Sequence, residues 1–264
     1  MRWGRGSSAG SSAAILSLAL AAAVLGADGA SSGKAGESRA APGARARKNL
    51  VPNGDFESGG KDGPAGWQRP DGLTSTWVAA PGRKGKCIRI DTDVLSSQFK
   101  KREDEMEAAR AAGRPAPSPP AKLPTHAPKY DTVAGNEGVH FVSDPIAIDP
   151  AKHYLLEVDA RVEGAAAPKV WVKGYGRPRE GERERELWKK GLDCNGAGKD
   201  WRTFRTAFPL STAIPSAVTQ VRIHLYPYWP PAVYWFDDVR LVEVTEEEAK
   251  AVAVEKGLAA PDRK

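Results

Sequence analysis

The chain lacks most of what would make an enzyme or a membrane protein. Its 264 residues include two cysteines, Cys87 and Cys194, and Cys87 falls inside a strand pattern, a poor place for a nucleophile. In an exported chain two thiols can form one bridge, and closing so long a loop would stabilise the fold by about 4–5 kcal/mol on the chain-entropy model. Spacing leaves that pairing open beside one buried thiol and one loop thiol that never meet. The four histidines, His126, His140, His153 and His224, show no metal-ligand spacing. A G-x-S-x-G elbow is absent. Gly174-Tyr175-Gly176 opens no helix and is a strand end turning rather than a nucleotide loop. No internal repeat marks a solenoid. The net charge of +6 does not gather on a continuous basic helix. Much of it lies in the N-terminal segments and an inserted loop, so it speaks for solubility or an anionic surface rather than for nucleic acid.

Long apolar runs are missing too, with one exception at the start. Arg2 and Arg5 precede an apolar run at 13–25 (AAILSLALAAAVL), and small residues follow, with cleavage sites after Ala27 or Gly29. A basic start, an apolar middle and small residues at the exit predict a secretory signal peptide over 1–30. The run is well short of the roughly 20 residues that span a bilayer, so no membrane insertion is expected after cleavage. Residues 31–47 (SSGKAGESRAAPGARAR) are small, polar and basic, and cannot bury enough surface to offset chain entropy; they read as a disordered linker. Roughly 195 residues remain between this linker and the charged tail at 245–264, enough for one β-sandwich with a proper core. In the tail, Thr245 with Glu248 three residues on predicts a capping box and a short charged helix that closes the last strand.

Between 49 and 244 the signals are those of strands. Candidates are 77–79, 86–91 (KCIRID), 138–143 (GVHFVS), 154–162, 169–175, 203–210, 218–226 and 233–244, separated by Gly, Pro, Asp and Asn clusters. Many strands with turn punctuation and no alternating helices predict an all-β fold, a two-sheet antiparallel sandwich. One insertion, 97–135, breaks the rhythm and is expected outside the sandwich. Residues 97–112 (SQFKKREDEMEAARAA) form a strong helix former that runs into Gly113 and six prolines between Pro115 and Pro128. It reads as a solvated loop before it reads as a lid or docking arm.

The opening NLVPNGDFE (49–57), followed by Gly66-Trp67, and the closing YWFDDVRL (234–241) resemble the carbohydrate-binding modules grouped around families 4, 9 and 22. SDPIAIDPAKHYLLEVDARV (143–162) and KVWVKGY (169–175) resemble the central strands of those modules. The order and spacing of these pieces carry the resemblance over residues 48–244; the 97–135 insertion departs from it. It implies a jelly roll of the galactose-binding-like kind, often with a structural calcium held by oxygens of the first and last strands. Here that would draw on Asp55, Glu57, Asp237 and Asp238. Asp237-Asp238 is an acidic pair in an apolar strand and needs a partner when buried. Backbone amide bonds at a corner are the alternative to calcium. Phe56 is expected to point inward and seal the sandwich.

The period-2 rule assigns side chains to faces. With Tyr154, Leu156, Val158, Ala160 and Val162 inward, Glu157, Asp159 and Arg161 face out. With Val170 and Val172 inward, Trp171, Lys173 and Tyr175 face out. With Val221, Ile223 and Leu225 inward, Arg222, His224 and Tyr226 face out. If the three strands are neighbours, these nine residues form one aromatic and polar face suited to sugars, whose C–H faces stack on rings and whose hydroxyls bond to charged groups. The competing reading is that the aromatics pack under the insertion and the charges form cross-strand ion pairs. Tyr228 and Trp229 fall at a hairpin tip. Glu157 and Asp159 are about 7 Å apart by strand rise, within the span of an inverting glycosidase pair, but two carboxylates on one face recur by chance. The reading is therefore a non-catalytic exported module for extracellular or cell-wall polysaccharide. A structural or adhesive surface protein without a sugar site is the alternative, and a small glycoside hydrolase a distant third.

Overall fold

A computed structural model describes residues 47–126, 129–164 and 166–255. The expected signal peptide, the linker up to residue 46 and the end of the tail lie outside the described residues. In chain order, β1 (Gly59–Gly60) and β2 (Gly63–Pro64) make a small hairpin, followed by β3 (Ser75–Ala79), β4 (Lys86–Asp91) and helix α1 (Ser96–Ala111). Then come β5 (Phe141–Val142), β6 (Ile146–Ala147), β7 (His153–Glu163), β8 (Lys169–Gly176) and β9 (Arg185–Asp193). β10 (Arg202–Phe208), β11 (Val218–Tyr226), β12 (Val233–Val244) and helix α2 (Glu246–Glu255) complete the described order.

The strands form two antiparallel sheets. Sheet one runs β10-β7-β12-β4-β3; sheet two runs β5-β11-β8-β9, with β6 also pairing on β11. The expected sandwich is the observed fold. Alternation places the core as read: Tyr154, Leu156, Val158, Ala160 and Val162 of β7 meet Val170 and Val172 of β8 and Val221, Ile223 and Leu225 of β11 in one buried cluster. Each Val, Leu or Ile among them contributes about 1.5–3 kcal/mol relative to exposure. Phe56 joins them fully buried, its ring 4.9 Å from Trp67.

The opening segment completes β12. Leu50 N–H donates to Leu241 O at 2.8 Å and Val239 N–H to Gly54 O at 2.8 Å. The Asn49 amide spans the same stretch, accepting from Leu241 N–H at 2.9 Å and donating to Val239 O at 3.0 Å. A side chain at Gly54 could not fit, because a Cβ there would lie 1.9 Å from Val239 O.

Two expectations change and one open question closes. β9 was not anticipated; it is an edge strand too charged to show alternation. The insertion adds no strand to either sheet, yet it is tethered and not merely solvated. Buried Arg102 of α1 donates to Asp71 O at 2.7 Å, Lys122 pairs with Asp91 at 3.1 Å, and Val133 enters the main core. Finally, no disulfide joins Cys87 and Cys194. Cys194 lies in the main core and Cys87 in a separate cluster with Ala80 and Trp235, where burial raises its thiol to about 12.

The capping box is as expected: Glu248 accepts from Thr245 N–H at 2.8 Å while Thr245 Oγ1 accepts from Glu248 N–H at 3.3 Å. The helix it starts does more than close a strand. Ala249 and Val252 cover Leu155, Ala207 and Val242 on the outer side of sheet one. Thr245→Ala is therefore expected to lower stability by about 1 kcal/mol in urea unfolding, the usual cost of losing a helix cap.

Candidate functional site

The outer face of sheet two is a grid set by strand register. Across β11, β8 and β9 its rows run Gln220–Tyr175–Glu186, Arg222–Lys173–Lys189, His224–Trp171–Gly191 and Tyr226–Lys169–Asp193. Six residues expected on a common face, Trp171, Lys173, Tyr175, Arg222, His224 and Tyr226, are thus brought together.

Glycine at 191 decides how Trp171 lies. A Cβ at that position would sit 3.0 Å from the indole, so the ring reclines over bare backbone of β9 and stays half-buried. Lys169 Nζ and Lys189 Nζ lie over it at 5.7 and 5.5 Å from the ring centre. Beside it the other rings stack on one another: His140 on Tyr226 at 4.2 Å and Tyr226 on Tyr228 at 5.6 Å. Those three faces are largely used up by each other, whereas Trp171 and Tyr175 enter no ring stack among the described residues. At the hairpin tip, exposed Trp229 stacks on Tyr130 from the insertion at 5.0 Å.

His224 is the buried member of the face. Its Nε2 lies 3.4 Å from Tyr175 Oη, and its Nδ1 is buried without a hydrogen-bond partner among the described residues. Burial, with Lys173, His140 and Arg222 nearby, drives its pKa down to about 3. The imidazole is neutral at ordinary pH.

Glu157, Asp159 and Arg161 are elsewhere. They project from β7 on the outer side of sheet one, the opposite surface of the sandwich. Period 2 separates in from out but does not say which sheet a strand joins. There Glu157 is buried, opposite Arg205 and Arg240 in register. Arg161 lies 4.6 Å above the Trp235 ring and donates to Lys199 O. Asp159 accepts from Thr203 Oγ1 at 2.6 Å and from Arg83 Nη1 at 2.7 Å. The nine-residue face is corrected to six, with three in a structural network.

That network also answers the acidic pair of β12. Arg83 Nη2 sits 2.5 Å from Asp237 Oδ2, and Nη1 is 3.8 Å from Asp238 Oδ2. Its guanidinium lies 3.8 Å over Trp201, whose indole donates to Pro81 O at 2.8 Å. Burial lifts Asp237 to about 7 against the pull of Arg83. Glu57 accepts from Lys86 N–H at 2.7 Å, and Asp55 caps its own turn at Glu57 N–H, 3.5 Å away. Among the described residues no three His, Cys, Asp or Glu side chains come together as a metal site. Asp237 and Asp238 thus face Arg83, while Asp55 and Glu57 are engaged by backbone amides.

Sequence reasoning missed Lys169, Lys189, Gly191 and His140. Lys169 and His140 follow from the alternation already in use; Lys189 and Gly191 belong to the unanticipated β9.

No known family model and no curated protein matches the chain. Solved structures do. A family 16 carbohydrate-binding module is 16% identical over 74% of this chain and 100% of its own, with a TM-score of 0.41. The likeness is to carbohydrate-binding modules. A family 4 module is 14% identical over 74% of this chain and 99% of its own, TM-score 0.36. The CBM22-1 xylan-binding domain from Paenibacillus barcinonensis is 9% identical over 75% and 96%, TM-score 0.39. At these identities and TM-scores the likeness adds nothing to the antiparallel sandwich described above.

Two outcomes are expected. Arg83→Ala leaves three carboxylates uncompensated and lowers stability by about 3 kcal/mol, the low end for breaking a buried pair because the side chain keeps 23% of its surface in water. Asp237→Asn on that background recovers part of the loss; no recovery would show the network is not electrostatic. His224 has a folded pKa near 3 against an ordinary 6.5, so below 6.5 the unfolded chain takes up a proton that the folded chain refuses. Its contribution is complete above pH 6.5 and falls as pH drops towards 3, by at most about 1.4 kcal/mol per unit. Urea midpoints at neutral and acid pH should fall less steeply for His224→Gln than for the unaltered chain.

Proposed function

We propose that the chain is an exported, non-catalytic module that binds extracellular or cell-wall polysaccharide through the outer face of sheet two. The observation that carries this reading is Trp171, a half-buried indole reclining over Gly191 in the middle of a grid of polar and charged side chains. Such a ring offers the flat apolar surface on which the C–H face of a sugar stacks, and the donors around it suit ring hydroxyls. A rigid pre-placed platform loses little entropy on binding, which is how a small face yields useful affinity.

The absence of catalysis in this reading rests on the carboxylates. Buried Glu157 and arginine-bound Asp159 offer no accessible acid and base pair, and on sheet two Glu186 and Asp193 are held by Lys173 and Lys169 at 3.2 Å each. Export rests on the N-terminal sequence. Among the described residues no helix is long and apolar enough to cross a membrane. A sandwich used only for structure or adhesion would owe nothing to Trp171.

The test is Trp171→Ala, measured for stability and for binding across a panel of soluble polysaccharides. Binding should weaken about 30-fold or more, as for a buried aromatic anchor. Unfolding should stay well short of the ~3–5 kcal/mol loss of a truncated core aromatic. A stable variant with unchanged affinity removes Trp171 from the site; failure of the unaltered chain to bind any polysaccharide leaves the structural or adhesive reading.

A further inference from the structure

We propose that this face selects an acidic glycan, a polymer bearing carboxylate or sulfate groups next to the sugar that stacks on Trp171. The inference rests on the sugar-face reading above and names its substrate class. Its basis is the second row of the grid, where Arg222, Lys173 and Lys189 stand directly opposite one another on three adjacent strands. Like charges opposite each other destabilise a sheet. Only Lys173 is offset, by Glu186 at 3.2 Å. Arg222 and Lys189 have no carboxylate partner among the described residues, although β9 and β11 could have carried one at either position.

The row borders the platform. Lys189 Nζ and Lys169 Nζ lie over the Trp171 ring, 5.5 and 5.7 Å from its centre, so a sugar stacked there meets both ammonium groups. Lys169 is already shared with Asp193, 3.2 Å away; Lys189 is not. Neutral His224 adds no charge, and Arg222 and Lys189 remain as cations without a direct carboxylate contact among the described residues, beside the Trp171 ring. A neutral polymer would stack on the indole and leave the row strained. An acidic one supplies the missing counter-charges at the place where they are short. Because these groups are solvent-accessible, the attraction must be sensitive to salt.

The experiment is calorimetry on the full chain with four polymers: polygalacturonate, its methyl ester, a sulfated galactan and the same galactan without sulfate. Single-stranded DNA serves as a polyanion without a stacking sugar lane of this kind. At least one acidic polymer should bind about tenfold more tightly than its uncharged counterpart, with the preference shrinking as salt is raised. The carboxylate and sulfate arms say which anion is preferred. Lys189→Ala and Arg222→Ala should each weaken acidic binding several-fold while leaving the melting temperature unchanged or higher, since each relieves a like-charge contact. Equal, Trp171-dependent affinity for charged and uncharged forms would retain the sugar face and overturn the acidic preference. Binding of DNA as tight as that of the acidic glycan and indifferent to Trp171→Ala would overturn it as bare charge attraction. Binding of no carbohydrate at all would end both readings.

Discussion

The structure turns on a kink in one strand. β12 is the middle strand of sheet one, and at Asp238 its backbone swings to φ +46°, a left-handed value, so that its register against β7 jumps between Asp237 and Arg240. Before the kink its other side pairs with β4; after it, that side is taken by the opening segment around Asn49. Backbone groups cannot be left bare in a buried sheet, so the strand can change partners only where each half finds a new set of donors and acceptors. The kink is also where Arg83 reaches three carboxylates. Chain closure, the acidic pair and the charge network are one feature seen from three sides.

The two outer surfaces then diverge. On sheet one, α2 roofs Leu155 and Val242, and the Arg83 network fills the surface near the kink. On sheet two, the grid from Tyr175 to Asp193 has rings and charges in ordered rows. A sandwich needs both inner faces for its core, so of its sheet faces only an uncovered outer one stays open to solvent.

Much of this was legible from alternation. The strands at 86–91, 218–226 and 233–244 were read with their observed bounds, and every residue assigned inward on β7, β8 and β11 is in the core or buried. Sheet membership was not legible. Period 2 is a local property, whereas the assignment of β7 to one sheet and β8 to the other depends on contacts across the whole chain. The same holds for Asp237: its partner Arg83 lies far away in sequence, in a turn between β3 and β4, and nothing near DDV announces it. α2 was foreseen from its capping box but its apolar side, Ala249 and Val252, is too short to declare itself as a roof.

β9 escaped notice because Arg185, Glu186, Lys189 and Lys190 interrupt any apolar rhythm, and that same trait has a consequence for the molecule in solution. It is the outermost strand of sheet two, with one row of backbone donors and acceptors unclaimed by β8. A bare margin of that kind invites a second copy to add its own strand and begin a polymer. Charged side chains on such a margin make the addition costly, because joining would crowd their like charges and strip their water. The lysines that line the face thereby also keep neighbouring molecules from zipping together along it.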